Sequence, residues 1–98
     1  MDIPKIRVKS KEIELPRPTM RMWRRVAEYD DLDKTGWGTL RLMDEHSKIL
    51  AEMYGLASPD DIDPADVLTG YVEAARFVIG LASERLKELP NAEAEAVN

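Results

Sequence analysis

The residues with the clearest chemical potential lie in an acidic loop near the middle of the chain. Oxygen-bearing side chains stand there at alternate positions and a glycine follows them, as at the start of a calcium-binding loop: Asp31, Asp33, Thr35 and Gly36. A bidentate glutamate completes such a loop at its twelfth position, where this chain has Leu42. The pattern therefore predicts a polar loop whose acids cap helices, and no metal site.

The single histidine is a second candidate for a catalytic or metal-binding residue. His46 stands beside two acids, but a zinc site needs convergent partners such as a histidine four residues away, and Leu50 occupies that position. We expect His46 to lie at the surface or at the edge of the core. There is no cysteine, glycine-rich phosphate loop or supported nucleophile. The sequence therefore predicts no catalytic, metal or cofactor site, and a protein that is not an enzyme.

Both tryptophans stand in settings that suggest contact with other molecules. Trp23 belongs to a basic and apolar run, residues 20–25, of a kind that binds nucleic acid. It also fits the apolar face of a helix, and most of the chain is acidic, so we expect no nucleic-acid partner. Trp37 lies between Gly36 and Gly38. It is either a lid folded onto the core or an exposed anchor for a partner protein.

Composition bounds the class of protein. The chain has 98 residues, of which 44% are hydrophobic, and a net charge of −5, as expected for one small globular domain. Nothing in it resembles a signal peptide or a membrane span, so we expect a cytoplasmic location. Residues 1–25 carry eight Lys and Arg against three Asp and Glu, and residues 26–98 carry six against sixteen. The basic head either folds over its own acidic body or meets the body of another copy.

Periodicity predicts an α+β fold that is mostly helical, with an N-terminal β-hairpin followed by three helices. Charged and apolar residues alternate over 5–9 and 12–15, which indicates two strands separated by Ser10–Lys11. The apolar residues of these strands would share one face: Ile6, Val8, Ile13 and Leu15.

The three helices are predicted from their capping residues and apolar spacing. The first covers 20–29 after Thr19, the second covers 40–54 between Thr39 and Gly55, and the third and longest covers 64–89 after Asp63 and Pro64. We place the globular domain in residues 1–90 and a flexible acidic tail in residues 91–98.

The last helix contains a stretch, residues 74–82, that is apolar nearly all round. Such a stretch has to be buried on every side, which one chain of this size can hardly provide. The hairpin face needs cover as well, since an isolated two-stranded hairpin is marginal in water. The sequence therefore predicts a partner protein, self-association or both, with Trp37, Phe77 and Leu81 as contact residues.

This layout resembles the small tail-assembly chaperones of long-tailed, siphovirus-like bacteriophages and prophages. The resemblance covers residues 5–90: a basic hairpin, the proline-rich link Pro16–Thr19, a short helix containing Trp23–Val26, and two further helices before an acidic tail. It implies a non-enzymatic protein that binds the tape-measure protein in the host cytoplasm during tail morphogenesis. It also implies that the chaperone keeps apolar helices of that protein soluble, and that it forms homo-oligomers.

Two other functions stay open. The chain could be a structural part of the virion, such as a head–tail connector or a tail-completion protein, and would then be present in purified particles. It could also be a small regulatory adaptor, which would co-purify with a toxin or a transcription factor.

Overall fold

The fold is a β-hairpin followed by three helices, and the structure, a computed structural model, describes residues 2–87, without the side chains of 83–87. The elements are strands Lys5–Val8 (β1) and Lys11–Glu14 (β2), helices Met20–Asp30 (α1), Thr39–Tyr54 (α2) and Pro64–Lys87 (α3), and a 3₁₀ turn at Pro59–Asp61. The predicted architecture, with the hairpin first and the longest helix last, is confirmed. The predicted flexible tail, residues 91–98, lies outside the described residues.

The hairpin turn differs by one residue from the prediction. The two strands pair antiparallel with Val8 opposite Lys11, so the turn is Lys9–Ser10 rather than Ser10–Lys11. Both turn residues have positive φ, 51° and 67°, which matches the twist of a two-residue hairpin turn although neither is glycine. The expected apolar face forms, with three of its residues buried and Ile13 half-buried: Ile6, Val8 and Leu15.

The hairpin is supported within its own chain along the outer edge of β1. Val8 forms an antiparallel bridge with Ile62, and the N–H of Lys9 donates to the carbonyl of Asp61 at 3.1 Å. The N–H of Asp63 donates to the carbonyl of Arg7 at 2.9 Å. The segment before α3 therefore supports the outer edge of β1 within the same chain, through one isolated bridge and two flanking hydrogen bonds.

The hairpin also packs closely on α3. A Cβ atom at Gly70 would lie 2.8 Å from Cγ2 of Ile6, so glycine is what allows β1 to approach the helix. The carboxylate of Asp66, in the first turn of α3, accepts the backbone N–H of Arg7 at 2.8 Å. Ile6 is only 1% exposed as a result.

Helix ends follow local capping rules with one exception. The Thr19 hydroxyl accepts the Met22 N–H at 3.4 Å and starts α1, and the Asp63 carboxylate accepts the Ala65 N–H at 3.0 Å at the start of α3. Gly55 ends α2 with a φ of 70°, as predicted. The predicted cap of α2 is wrong, because Gly38 takes the cap position and Thr39 is already helical.

The core is built from one side of each helix and the hairpin face. Its most fully buried large side chains come from β1, α1 and α2: Ile6, Val26, Tyr29, Ile49, Leu50 and Met53. The third helix, α3, adds further buried residues: Val67, Tyr71, Ala74 and Val78. None of the helices in the described part of the chain is both long enough and apolar enough to cross a membrane.

The basic head meets acids of its own chain at two places. Lys9 lies 3.5 Å from the carboxylate of Asp61, and the Arg25 guanidinium donates to Glu52 at 2.7 Å. Arg21 and Arg24 on the outer side of α1 remain exposed. The head therefore folds over its own acidic body at these two places.

The stretch of α3 from 74 to 82 is not buried on every side. Ala74, Ala75 and Val78 face the core, whereas Arg76 and Ala82 are exposed. The remaining large side chains of the stretch are half-buried: Phe77, Ile79 and Leu81. The rest of the chain thus covers one side of this stretch, and the expectation of burial all round is corrected.

Candidate functional site

The acidic loop after α1 is held by its own hydrogen bonds. The Asp33 carboxylate accepts the hydroxyl and, at 3.0 Å, the N–H of Thr35. Both hydrogen bonds lower the pKa of Asp33 because they favour its charged form, and the bond from the hydroxyl has the larger effect. The Lys34 ammonium donates to the carbonyls of Tyr29 at 2.6 Å and Leu32 at 3.3 Å. Within the described residues, no group of three or more His, Asp or Glu could hold a metal ion.

His46 is half-buried and joins the three helices. Its Nδ1 lies 2.9 Å from the Tyr29 hydroxyl and 2.8 Å from the Leu42 carbonyl. A carbonyl only accepts, so Nδ1 carries the hydrogen. The ring meets those of Tyr29 and Tyr71 edge-on, with centroids 5.1 and 4.9 Å apart. Tyr71 in turn donates its hydroxyl to Asp30 at 2.8 Å. Sequence reasoning missed this cluster because its members come from three different helices.

The buried tyrosine hydroxyls of this region have raised pKa values. Burial raises the pKa of Tyr54 to about 12, with added effects of nearby carboxylates. Burial also raises the pKa of Tyr71, and its hydrogen bond to Asp30 acts in the same direction. Burial is also the main cause of the raised pKa of Tyr29. Such hydroxyls hold their protons at neutral pH. Those of Tyr29 and Tyr71 link helices through His46 and Asp30, whereas the buried Tyr54 hydroxyl has no hydrogen-bond partner among the described residues.

Trp37 packs against the core as a partly buried side chain. Its ring lies 6.1 Å from that of Tyr29, at an angle of 59°. The guanidinium of Arg41 lies over the indole, 4.2 Å from the ring centroid. The sequence left two interpretations of Trp37, a lid folded onto the core or an exposed anchor for a partner protein. Its position in the structure is that of a lid on the core.

Phe77 lies in an open cleft of about 860 Å³ between α3 and the N-terminal segment. The carbonyl of Pro4 accepts the N–H of Leu15 at 2.9 Å, which fixes this segment beside the hairpin. We call this the Phe77 cleft, and its lining combines apolar and charged residues: residues 2–5, Glu14, Glu73, Arg76 and Phe77. Ile3, in its wall, is 44% exposed. The cleft thus offers apolar contacts between charges of both signs.

The three contact residues predicted from sequence do not form one patch. Trp37 covers Tyr29, whereas Phe77 lies in the cleft on α3. Leu81 is half-buried one turn further along α3 and is not among the residues that line the Phe77 cleft. Of the three predicted contact residues, Phe77 lines the cleft, and Trp37 and Leu81 are not part of that lining.

A second apolar surface on α3 was not singled out from the sequence. Its residues are separated alternately by four and three positions, and we call them the α3 flank: Leu68, Val72, Ala75, Ile79 and Ala82. Leu68 and Val72 are each 44% exposed. A groove of about 400 Å³ lies along the flank, with Asp30 and Arg76 in its lining. The spacing was present in the sequence, but apolar residues on the other sides of the helix obscured it.

Comparison of the chain with protein-family models, curated proteins and solved structures gave no match. The chemistry of the Phe77 cleft and of the α3 flank therefore has to be inferred from their own residues. That chemistry is apolar contact bordered by charge.

Proposed function

We propose that this chain is a non-enzymatic binding protein that holds an apolar helical segment of another protein in the Phe77 cleft. Tail-assembly chaperones, which the chain resembles, act in this way on the tape-measure protein, and we propose the same partner class here. The observation that carries the proposal is the cleft itself, which exposes Ile3 and Phe77 between charges of both signs. A protein that keeps an apolar helix soluble needs such a surface.

The dimensions and charges of the cleft support a helical segment as its occupant. A volume of about 860 Å³ accommodates several side chains from one face of a helix. Lys5 and Arg76 supply positive charge at its rim, and Glu14 and Glu73 supply negative charge. An amphipathic helix presents apolar residues flanked by charged ones, so both parts of the cleft would be used.

The roles of the acidic residues support a binding function rather than catalysis. Asp33 binds its neighbour Thr35, and Asp63 caps α3. Asp66 holds the backbone of Arg7. Each of these carboxylates already serves the local structure, as capping and turn residues do.

A peptide-binding experiment tests this proposal directly. An amphipathic helical peptide from an apolar segment of a tape-measure protein, carrying a fluorophore, is titrated with the full chain, and anisotropy reports binding. We expect saturable binding and suppression of the peptide's aggregation. A polar helical peptide of equal length is the matched ligand and should not bind.

Variants locate the binding surface. Ile3→Asp introduces a charge into the cleft wall and should weaken binding by at least about tenfold. Leu40→Asp is the control, because Leu40 is 76% exposed on α2 and lies outside the lining of the cleft. Equal binding by the wild type and Ile3→Asp, with both folded by circular dichroism, would reject the cleft as the site. Stable presence of the protein in purified phage particles would favour a virion component instead.

A further inference from the structure

The α3 flank has the spacing of a helix that pairs with another helix. Its five residues alternate by four and three positions, the pattern that keeps one apolar seam facing a partner helix. The seam spans roughly 21 Å at 1.5 Å per residue. Leu68 and Val72, near its beginning, are 44% exposed although both are large and apolar. The beginning of the flank is therefore accessible in the described structure, whereas Ala75 at its centre is buried and Ile79 is half-buried.

Small residues make a close approach of two backbones possible at the groove along this flank. Ala75 and Gly80 both line the groove. A Cβ atom built at Gly80 meets none of the described residues outside its own helix backbone within 4 Å. Among the described residues, a second helix could therefore lie close to the α3 backbone at Gly80 without displacing a side chain.

The charges in the groove indicate which partner helix would fit beside α3. Asp30, at the end of α1, and the exposed Arg76 of α3 both contribute to its lining. A surface that carries one acid and one base complements itself when it is rotated by 180°. Asp30 of each copy would then face Arg76 of the other, and the contact would form twice. A nucleic acid or a uniformly charged partner would leave one of these charges unmatched.

We propose that the α3 flank is the interface for a second copy of this chain, with the two α3 helices antiparallel about a two-fold axis. This contact uses a different surface from the Phe77 cleft, and Arg76 borders both. It is also distinct from a contact between the basic head and the acidic body, which would join unlike surfaces and build rings or filaments. One helix pair buries less than the roughly 800 Å² per partner of a standard interface, so the dimer is reversible and its dissociation constant lies at micromolar concentration or above.

Sedimentation velocity of the full chain, from micromolar to millimolar concentration, measures this association. The wild type should shift from monomer to dimer and form no larger species. Gly80→Gln has room for its side chain in the monomer but fills the groove, so it should weaken dimerisation by about tenfold or more. Arg24→Gln, on the exposed face of α1, is the matched control and should dimerise like the wild type.

Two charge reversals test the two-fold geometry itself. Arg76→Glu places two acids opposite each other in its own dimer, and Asp30→Lys places two bases there. Each variant alone should dimerise about tenfold more weakly. An equal mixture should regain wild-type affinity, because each contact in the mixed dimer again joins opposite charges. A fold damaged by either substitution could not be rescued by mixing.

Three results would overturn the proposal. The first is a wild type that stays monomeric up to millimolar concentration, which would leave the flank to a different protein. The second is a Gly80→Gln variant that is folded by circular dichroism and dimerises like the wild type. The third is a mixture of the two charge variants that associates no better than either variant alone.

Discussion

The two described glycines of α3 lie in opposite surroundings. At Gly70 an added Cβ atom would approach Ile6 Cγ2 to 2.8 Å, whereas at Gly80 it would meet nothing within 4 Å. The first glycine is needed because the chain packs its own strand against the helix. The second borders a groove that the chain leaves open. The difference shows that one helix has a side closed by its own hairpin and another side that the described residues leave open at Gly80.

The closed side owes its stability to contacts between distant parts of the sequence. β1 is paired with β2 along one edge and with residues 61–63 along the other. The carboxylate of Asp66 adds a hydrogen bond from α3 to the backbone of Arg7. No described residue gives comparable cover to Leu68 or Val72, which are exposed to nearly half of their area. Substitutions on the two sides should therefore have different energetic consequences.

The largest effect is expected for Ile6→Ala on the closed side. Ile6 is 1% exposed, and its truncation removes buried methyl groups and leaves a cavity, at a cost of about 2–5 kcal/mol in the free energy of unfolding. Val72→Ala on the α3 flank should cost less than about 1 kcal/mol at a protein concentration where the chain is monomeric. Urea denaturation followed by circular dichroism measures both values. Equal losses would remove the distinction between the two sides.

Gly70→Ala should also destabilise the protein, although alanine favours helices. The new methyl group would overlap Ile6, whose branched side chain cannot easily move away, and the expected loss is about 1–3 kcal/mol. In the background of Ile6→Ala the same substitution should cost much less. A double-mutant cycle in urea gives the coupling between the two residues. Additive losses would mean that Gly70 does not serve the approach of β1.

Asp66→Ala tests the hydrogen bond between α3 and the hairpin. Removing the carboxylate leaves the N–H of Arg7 without this acceptor and should cost about 1–2 kcal/mol. Asp66→Asn keeps an oxygen acceptor and should cost less. Glu73→Ala, at an exposed position of the same helix, is the control and should change stability by less than about 0.5 kcal/mol.

The smallest effect, and the one of opposite sign, is expected for Gly80→Ala. The methyl group has space, and alanine loses less backbone entropy in a helix, so the monomer should gain about 0.5–1 kcal/mol. Thermal unfolding at low protein concentration compares it with Gly70→Ala. A loss of stability at position 80 would show that the groove is closed in the folded chain.

Local capping signals explain why much of this fold could be predicted from sequence. Thr19, Gly55 and the Asp63–Pro64 pair act on their immediate neighbours, and each stands where it was expected. The hairpin turn was misplaced by one residue because Lys9 and Ser10 lack the glycine that signals such turns. The pairing of β1 with residues 61–63 joins segments more than 50 residues apart, and no local pattern announces it.

The candidate surfaces were only partly predictable for the same reason. The apolar run of α3 drew attention to Phe77, but one wall of its cleft comes from residues 2–5, near the start of the chain. The sequence left two interpretations of Trp37 open, because the position of its ring depends on contacts with Tyr29 and Arg41 from two different helices. The groove on the α3 flank likewise needs Asp30 from α1 beside it.

An NMR dilution series of the uniformly labelled chain tests most directly whether α3 is closed on one side and open for self-association on the other. Amide shifts should change with concentration at Leu68, Val72 and Gly80, while those of Ile6 and Arg7 in the hairpin stay constant. Changes centred on Arg21 and the hairpin would instead indicate contact through the basic head. That result, or a spectrum independent of concentration, would contradict the account.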